Sequence, residues 1–255
     1  MPSTPLRRLF VLVLLAGGLA PLAGCGPGSE PGTPRAGDGH GRAEADSQAV
    51  AYLMQAEQAY RQGRFRYALT LTDTAARIDP DLADVPFLRG RIFTQIRRLG
   101  LADSAYSDVA ELAPSYTGLW FNRGNLAFRK GQYEEAIAHY RRTNNPDLRA
   151  RVLTNLGRAY ANLGRTDSAK AAYQRALRAD PNYTTAHGWL SRLFQQEGRL
   201  DSAIVHARAA LERKPSDYDY RYMVGSQLVQ AGRPEEAISL LDSVLSARPS
   251  HRGAH

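Results

Sequence analysis

The chain of 255 residues has a single cysteine, Cys25, and one thiol cannot form a disulfide within the chain. Its six histidines lack the H-E-x-x-H spacing and the paired Cys/His clusters of metal sites. A P-loop, a nucleophile elbow and a spaced pair of carboxylates are also missing from the sequence. These absences predict a protein that is not an enzyme, that needs no metal or cofactor, and that is stabilised by packing alone.

The apolar run near the N-terminus, residues 9–19, is too short to cross a bilayer as a helix. It follows Arg7 and Arg8 and leads into small residues that end at Cys25. This order of charged, apolar and small residues is typical of an export signal, which is removed from the mature protein. We therefore predict that residues 1–24 form a cleaved signal peptide and take no part in the fold.

Residues 22–25 read Leu-Ala-Gly-Cys and resemble the lipobox of bacterial lipoproteins. The resemblance implies that cleavage leaves Cys25 as the mature N-terminus and that its thiol carries diacylglycerol, whose two acyl chains suffice for stable anchoring. Gly26 rather than aspartate follows the cysteine, and in a Gram-negative host that pattern implies the outer membrane, facing the periplasm. Residues 26–48 are rich in glycine, proline and charge, so they predict a flexible linker.

The charge of the chain is basic but mixed. It has 33 Lys and Arg against 25 Asp and Glu, a formal net charge of +8, and acids alternate with bases rather than forming blocks. A basic chain can bind nucleic acid, but export argues against that partner. The remaining candidates are acidic protein segments, lipid head groups and anionic polymers.

Prolines recur with a period of 34 residues, at 80, 114, 181, 215 and 249, with one residue missing once. The period predicts six units, residues 49–82, 83–116, 117–149, 150–183, 184–217 and 218–251, followed by a short tail at 252–255. The twentieth residue of every unit is alanine, the eighth is always small, and the fifteenth is glycine in five units. These columns predict two closely packed helices in each unit, joined by a short turn.

The third unit carries the clearest family pattern, with Trp120, Gly124, Gly131, Tyr133, Ala136 and Tyr140 at the marker positions of tetratricopeptide repeats. By this resemblance the chain is identified as a member of that family. The resemblance implies an all-α fold, an α-solenoid with a right-handed superhelix built from six helix-turn-helix repeats. The second unit departs most from the pattern, since Gly100 falls three places late, and the sequence leaves the register of its turn open.

In the repeat family, ligands contact positions 2, 5, 6, 9, 12 and 13 of each first helix, on the concave wall. Helical spacing independently places positions 2, 5, 9 and 12 opposite the packed stripe of the first helix. Trp120, Tyr140, Tyr160 and Tyr173 are predicted to be packing residues. Arginine pairs with carboxylates, asparagine holds a peptide backbone, and aromatic rings supply contact area. The predicted peptide-binding residues, none of them acidic, are Arg91, Phe121, Asn122, Asn125, Phe128, Arg129, Arg151, Asn155, Arg158, Asn162, Trp189, Arg192 and Tyr222.

The last helix of the array supplies a second candidate surface. No further helix follows to cover its apolar side chains, Ile238, Leu241 and Leu245. An exposed apolar stripe commonly marks a contact, so we expect self-association or partner docking at this end.

The sequence therefore predicts a lipid-anchored scaffold of the bacterial envelope, which binds a protein segment, acidic or ending in a carboxylate, during assembly of an envelope complex. Its architecture is similar to that of the pilotins of type IV pilus biogenesis, which assist secretin assembly. Two alternatives stay open. One is a structural adaptor or oligomer that uses the solenoid ends, and the other is a regulator of a peptidoglycan-modifying enzyme.

Overall fold

A computed structural model of the protein describes residues 38–250 and residue 253, with side chains from residue 46 onward. The signal peptide, Cys25 and residues 26–37 of the linker lie outside the described residues. The described part is helical throughout, and none of its helices is both long enough and apolar enough to cross a membrane. The helices are α1 Asp38–Arg61, α2 Phe65–Ile78, α3 Asp84–Gln95, α4 Leu99–Leu112, α5 Leu119–Arg129, α6 Tyr133–Arg142, α7 Arg149–Asn162, α8 Thr166–Ala179, α9 Thr184–Gln196, α10 Leu200–Arg213, α11 Tyr218–Gln230 and α12 Pro234–Ala247.

The twelve helices form six antiparallel pairs, repeats 1 to 6, which match the six units read from the proline period. In repeats 2 to 6 each helix packs most closely on the other helix of its pair and next on the adjacent pair, as α7 does on α8 and then on α6. This pattern of neighbour-only contact makes the fold the predicted all-α solenoid.

A glycine and a tyrosine lock the two helices of repeats 2, 3 and 4 together. The rings of Tyr106, Tyr140 and Tyr173 are about 1% exposed and lie over the small residue at the eighth position of the same unit. A Cβ placed on Gly124 would lie 2.5 Å from two ring carbons of Tyr140, closer than any real Cβ contact. The eighth position is therefore small because a tyrosine ring occupies the space of its side chain.

The turn of repeat 2 has the same register as the other turns. In the other five repeats a glycine between the helices adopts φ of +70° to +78°, and in repeat 2 Arg97 takes that place with φ of +61°. Left-handed backbone is uncommon for a residue with a side chain, which is why the sequence alone left this turn unresolved. Gly100 instead lies in the first turn of α4, with open space around its Cα.

The first helix begins earlier than the sequence predicts. α1 starts at Asp38, so residues 38–48, assigned to the flexible linker, are helical. The side chains of residues 46–48 are exposed, and Ala49 is the first buried residue. Because this extension carries no apolar stripe, hydrophobic spacing did not indicate it.

The third repeat is the irregular one. Five of the second helices have 14 residues, whereas α6 has 10 and ends at Arg142. A 3-10 turn at Pro146–Leu148 then leads directly into α7. The unit with the missing residue thus lacks about one helical turn, or about 5 Å of helix.

Candidate functional site

Eight of the predicted ligand residues line a single cleft of about 650 Å³. We call this cleft the groove, and its walls come mainly from the first helices of repeats 1 to 4. The predicted residues that line it are Arg91, Phe121, Asn122, Asn125, Phe128, Arg129, Arg151 and Arg158. The solenoid therefore brings side chains more than 60 positions apart in the sequence onto one surface.

Arginine guanidinium groups and aromatic rings alternate from Phe128 in the groove to Trp189 and Arg192, two predicted ligand residues on α9 that do not line the cleft. The guanidinium carbon of Arg158 lies 4.7 Å from the ring centroid of Phe128 and 5.3 Å from that of Trp189. The guanidinium carbon of Arg192 lies 5.0 Å from the centroid of the same tryptophan ring. Stacking of this kind holds a guanidinium in place without neutralising its charge.

The arginines of repeats 2 to 5 differ in their partners. Arg91 is already paired, because its Nη1 donates to both carboxylate oxygens of Glu57 at 3.1 and 2.9 Å. Within the described residues, no carboxylate lies within ion-pair distance of the groove residues Arg129, Arg151 and Arg158 or of Arg192 on α9. The positive charge is therefore uncompensated in repeats 3 to 5 and largely compensated in repeat 2.

The asparagines of the groove mainly hold the arginine in position. Asn125 Oδ1 accepts from the hydroxyl of Tyr140 at 2.9 Å and from Nδ2 of Asn155 at 3.0 Å. Asn155 Oδ1 in turn accepts from Nη1 of Arg158 at 3.4 Å. These amides were predicted to hold a peptide backbone, yet the structure engages them in a chain that ends on Arg158.

Two buried polar atoms beside this chain have no hydrogen-bond partner, Nε of Arg158 and the hydroxyl of Tyr173. Burial raises the pKa of Tyr173, while the charges of Arg158 and Arg192 oppose the shift, so the hydroxyl stays protonated. An unpartnered buried polar atom costs about 1–3 kcal/mol. Both atoms are buried from solvent, so contact with a ligand falls to the outer nitrogens of the half-buried Arg158 guanidinium.

The remaining predicted residues lie in different surroundings. Phe121 is 7% exposed and packs against Tyr140 in the core, so it contributes an edge to the groove and not a free anchor. Asn162 is exposed and donates through Nδ2 to the backbone oxygen of Arg158 at 2.9 Å. Tyr222 is absent from the groove lining, and its ring lies beside Gly253.

Sequence reasoning missed two kinds of groove residue. Tyr60 lines the groove from position 12 of repeat 1, where the positional rule was not applied, and Glu57 at position 9 of that repeat pairs with the groove residue Arg91. Tyr140 was assigned to packing, but its hydroxyl reaches the asparagines of the groove. The available signal was the choice of tyrosine over phenylalanine at the same position of three units, since a packing role alone needs no hydroxyl.

The C-terminal candidate surface lies on α12. Ile238 is 58% exposed, and Leu241 and Leu245 are half-buried. Leu241 occupies the place over Gly225 that a tyrosine has in repeats 2 to 4. The outer face of this helix is thus partly apolar and partly open.

Two family models match the chain, and both describe tetratricopeptide repeats. One matches residues 116–182, and the other matches residues 154–218 and 192–252. Together they cover residues 116–252, which is more than half of the chain.

Among curated proteins, the chain is 36% identical over 108 residues to the TPR repeat-containing thioredoxin TTL4 of Arabidopsis thaliana. That match covers 40% of this chain and only 15% of the relative. Among solved structures, PilF of Pseudomonas aeruginosa matches with a TM-score of 0.72 and 20% identity over 84% of this chain and 96% of that one. PilW, described as a widely conserved type IV pilus biogenesis factor, matches with a TM-score of 0.71 and 18% identity. That match covers 81% of this chain and 96% of PilW. At these identities the likeness to both structures is one of fold.

Proposed function

Because the chain belongs to the tetratricopeptide repeat family, we propose that it is a protein-binding scaffold whose groove holds an acidic segment of a partner. The observation that carries the proposal is the environment of Arg158. Its guanidinium is stacked between two aromatic rings and has no carboxylate partner in the described residues, and its buried Nε has no hydrogen-bond partner. A ligand carboxylate would accept from this group at little cost in side-chain order.

The spacing of the charges favours an extended ligand. Arg129, Arg158 and Arg192 belong to the first helices of three successive repeats, so a segment that crosses the repeats meets one unpaired arginine in each. Phe128 and Trp189 lie between these charges and offer ring surface to side chains of the ligand. An acidic segment with interspersed apolar residues fits this alternation.

The proposed place of action is the surface of an envelope membrane, reached through a lipid on Cys25. The lipobox resemblance supports it, and so does the likeness in fold to PilW, a type IV pilus biogenesis factor. In this proposal the scaffold assists assembly of an envelope complex. The exposed Ile238 on the last helix favours a second candidate function, an adaptor that links subunits through the solenoid end.

The groove is tested by affinity capture from membranes of the native host. The variant Arg129→Glu/Arg151→Glu/Arg158→Glu is expected to lose a defined partner that the unchanged protein captures. The matched control is Arg66→Glu/Arg178→Glu/Arg213→Glu, which reverses three exposed arginines on second helices with no ion-pair partner in the described residues. Capture of the same partners by the groove variant would contradict the proposal, and capture of a cell-wall enzyme would favour the regulatory alternative.

The anchor is tested separately with Cys25→Ser. The unchanged protein is expected in the membrane fraction until detergent is added, with a mass that includes diacylglycerol, whereas the variant is expected in the supernatant. An intact, unacylated cysteine in the purified membrane protein would contradict lipidation without affecting the groove.

A further inference from the structure

The short helix α6 leaves a second cleft on the other side of α7 from the groove. This cleft measures about 520 Å³ and lies between the end of α6, the 3-10 turn, α7 and α8. Its floor consists of Val152, Leu153 and Leu156, whereas the groove is lined from the same helix by Arg151 and Arg158. We call it the short-helix cleft. Its volume lies within the range of about 300–1,000 Å³ that is usual for ligand sites.

The rim of the short-helix cleft is basic. Arg141, Arg149 and Arg175 line it, and no aspartate or glutamate does. Arg149 and Arg175 are exposed and have no carboxylate partner within the described residues. Arg141 donates from Nη2 to the hydroxyl of Tyr160 at 2.7 Å, which leaves its charge uncompensated. The cleft therefore combines an apolar floor with three cations around it.

We propose that the short-helix cleft binds a short acidic peptide segment that places one large apolar side chain on the floor. The carboxylates of the segment pair with the rim arginines, and the apolar side chain covers Val152, Leu153 and Leu156. Asn145 uses its Oδ1 to accept from the backbone of Asp147 at 2.9 Å, so its Nδ2 remains to bind a peptide carbonyl. The binding does not depend on the groove, because it uses the other face of α7.

The irregularity of repeat 3 explains the position of the cleft. In the regular repeats the second helix continues for one more turn over the following first helix. The residues that replace this turn, Thr143 to Asn145, form an extended link instead. The missing residue of the 34-residue period thus coincides with a site of about the size of one apolar side chain and its flanking residues.

The test uses photo-crosslinking of the unchanged protein with an acetylated, amidated peptide Glu-Asp-Glu-Bpa-Glu-Asp-Glu, where Bpa is benzoylphenylalanine. Mass spectrometry with fragmentation locates the adducts. Adducts on Val152, Leu153 or Leu156 are the expected result, and a peptide with lysine in place of every acid is expected to give none. Adducts confined to groove residues such as Tyr60 and Phe128, or equal yields from the lysine peptide, would overturn the proposal.

Two variants separate charge from shape. Arg149→Glu/Arg175→Glu is expected to lower the yield of cleft adducts by about tenfold, because it replaces two charge-assisted contacts by repulsion. Ala171→Trp, an exposed position on the cleft wall, is expected to fill the cleft and lower the yield while leaving every charge in place. The matched control, Arg66→Glu/Arg213→Glu, should keep the full yield. If circular dichroism shows all variants folded and the adduct yield does not fall in the first two, the proposal is wrong.

Discussion

In repeats 2, 3 and 4 a tyrosine ring lies over a glycine, whereas in repeat 5 the equivalent positions hold Ser191 and Ala207. The space is filled there by Gln227 of repeat 6, which is fully buried and donates from Nε2 to Oγ of Ser191 at 2.8 Å. Gln195 Oε1 also accepts from Gln227 at 3.3 Å. Repeats 2 to 4 are thus each closed by a tyrosine ring of their own, whereas repeat 5 is closed by a polar side chain from repeat 6.

This difference shows how the polar groups of the groove depend on the packing of the helix pairs. A tyrosine in its own repeat fixes the helix pair and also delivers a hydroxyl to the groove, as Tyr140 does to Asn125. Gln227 of repeat 6 instead forms its hydrogen bonds with Ser191 inside the interface, and it makes no hydrogen bond to the arginines. Repeats 3 and 4 accordingly have both unpaired arginines and a tyrosine closure. The polar closure is in repeat 5, which also contains Trp189, the last ring stacked on these arginines.

The largest effect is expected from crowding a tyrosine closure. Gly124→Ala places a methyl group 2.5 Å from the ring of Tyr140 and should lower the free energy of unfolding by about 3 kcal/mol. Urea unfolding followed by circular dichroism measures it. Gly100→Ala is the matched control, because that helical glycine has open space around it and alanine should stabilise by about 0.5–1 kcal/mol. Equal stabilities of the two variants would contradict the closure by the ring.

The polar closure is expected to respond to loss of a partner rather than to crowding. Ser191→Ala leaves the buried amide of Gln227 with one partner fewer and should lower the free energy of unfolding by about 1.5 kcal/mol. The double variant Ser191→Ala/Gln227→Leu should recover much of this loss, since both polar groups are then removed together. Additive losses in the urea double-mutant cycle would show that the two side chains do not act as a pair.

The tyrosine hydroxyls of repeats 3 and 4 should differ in their contribution to the free energy of unfolding. Tyr140→Phe removes a hydroxyl that donates to Asn125 and should lower the free energy of unfolding by about 1 kcal/mol. Tyr173→Phe removes a buried hydroxyl without a partner and should leave the free energy of unfolding unchanged or raise it. A loss of stability in Tyr173→Phe equal to that in Tyr140→Phe would mean that this hydroxyl is satisfied in solution.

The smallest effect concerns pH, and His139 in repeat 3 and His206 in repeat 5 should report it. Burial lowers the pKa of His139, assisted by Arg123, and burial also lowers the pKa of His206, assisted by His187. A lowered folded pKa means that the unfolded chain takes up protons first as the pH falls below about 6.5, so stability is full above that value and declines beneath it. Thermal melts between neutral and mildly acidic pH should show this decline, and His206→Asn should flatten it. A melting temperature that rises on acidification would contradict the sign.

Much of the fold could be predicted from the sequence because it depends on short-range repetition. The proline period and the alanine column set all six helix pairs, and each pair packs only on its neighbours. The register of the turn in repeat 2 could not be predicted, because Arg97 adopts a left-handed backbone conformation that its residue type disfavours. The early start of α1 escaped because its exposed first turns carry no hydrophobic pattern.

Eight of the residues that line the groove were selected by the positional rules, but their interactions were not. Positional rules selected Arg158, Asn125 and Asn155, yet they could not show that the two amides are engaged with each other and with the arginine. They also could not show that Arg91 is paired with Glu57, because the pairing joins two repeats. The missing residue of the third unit indicated an irregularity at the short-helix cleft. The lining of the cleft could not be predicted, because it depends on how three helices pack together.

The stacking of Arg158 has a consequence for engineering. Its two rings belong to the preceding and the following repeat, Phe128 in repeat 3 and Trp189 in repeat 5. A single repeat transplanted into another solenoid would therefore carry the arginine without the rings that orient it. The smallest portable recognition cassette is three consecutive repeats, and libraries that shuffle repeats one at a time would discard the specificity that they aim to vary.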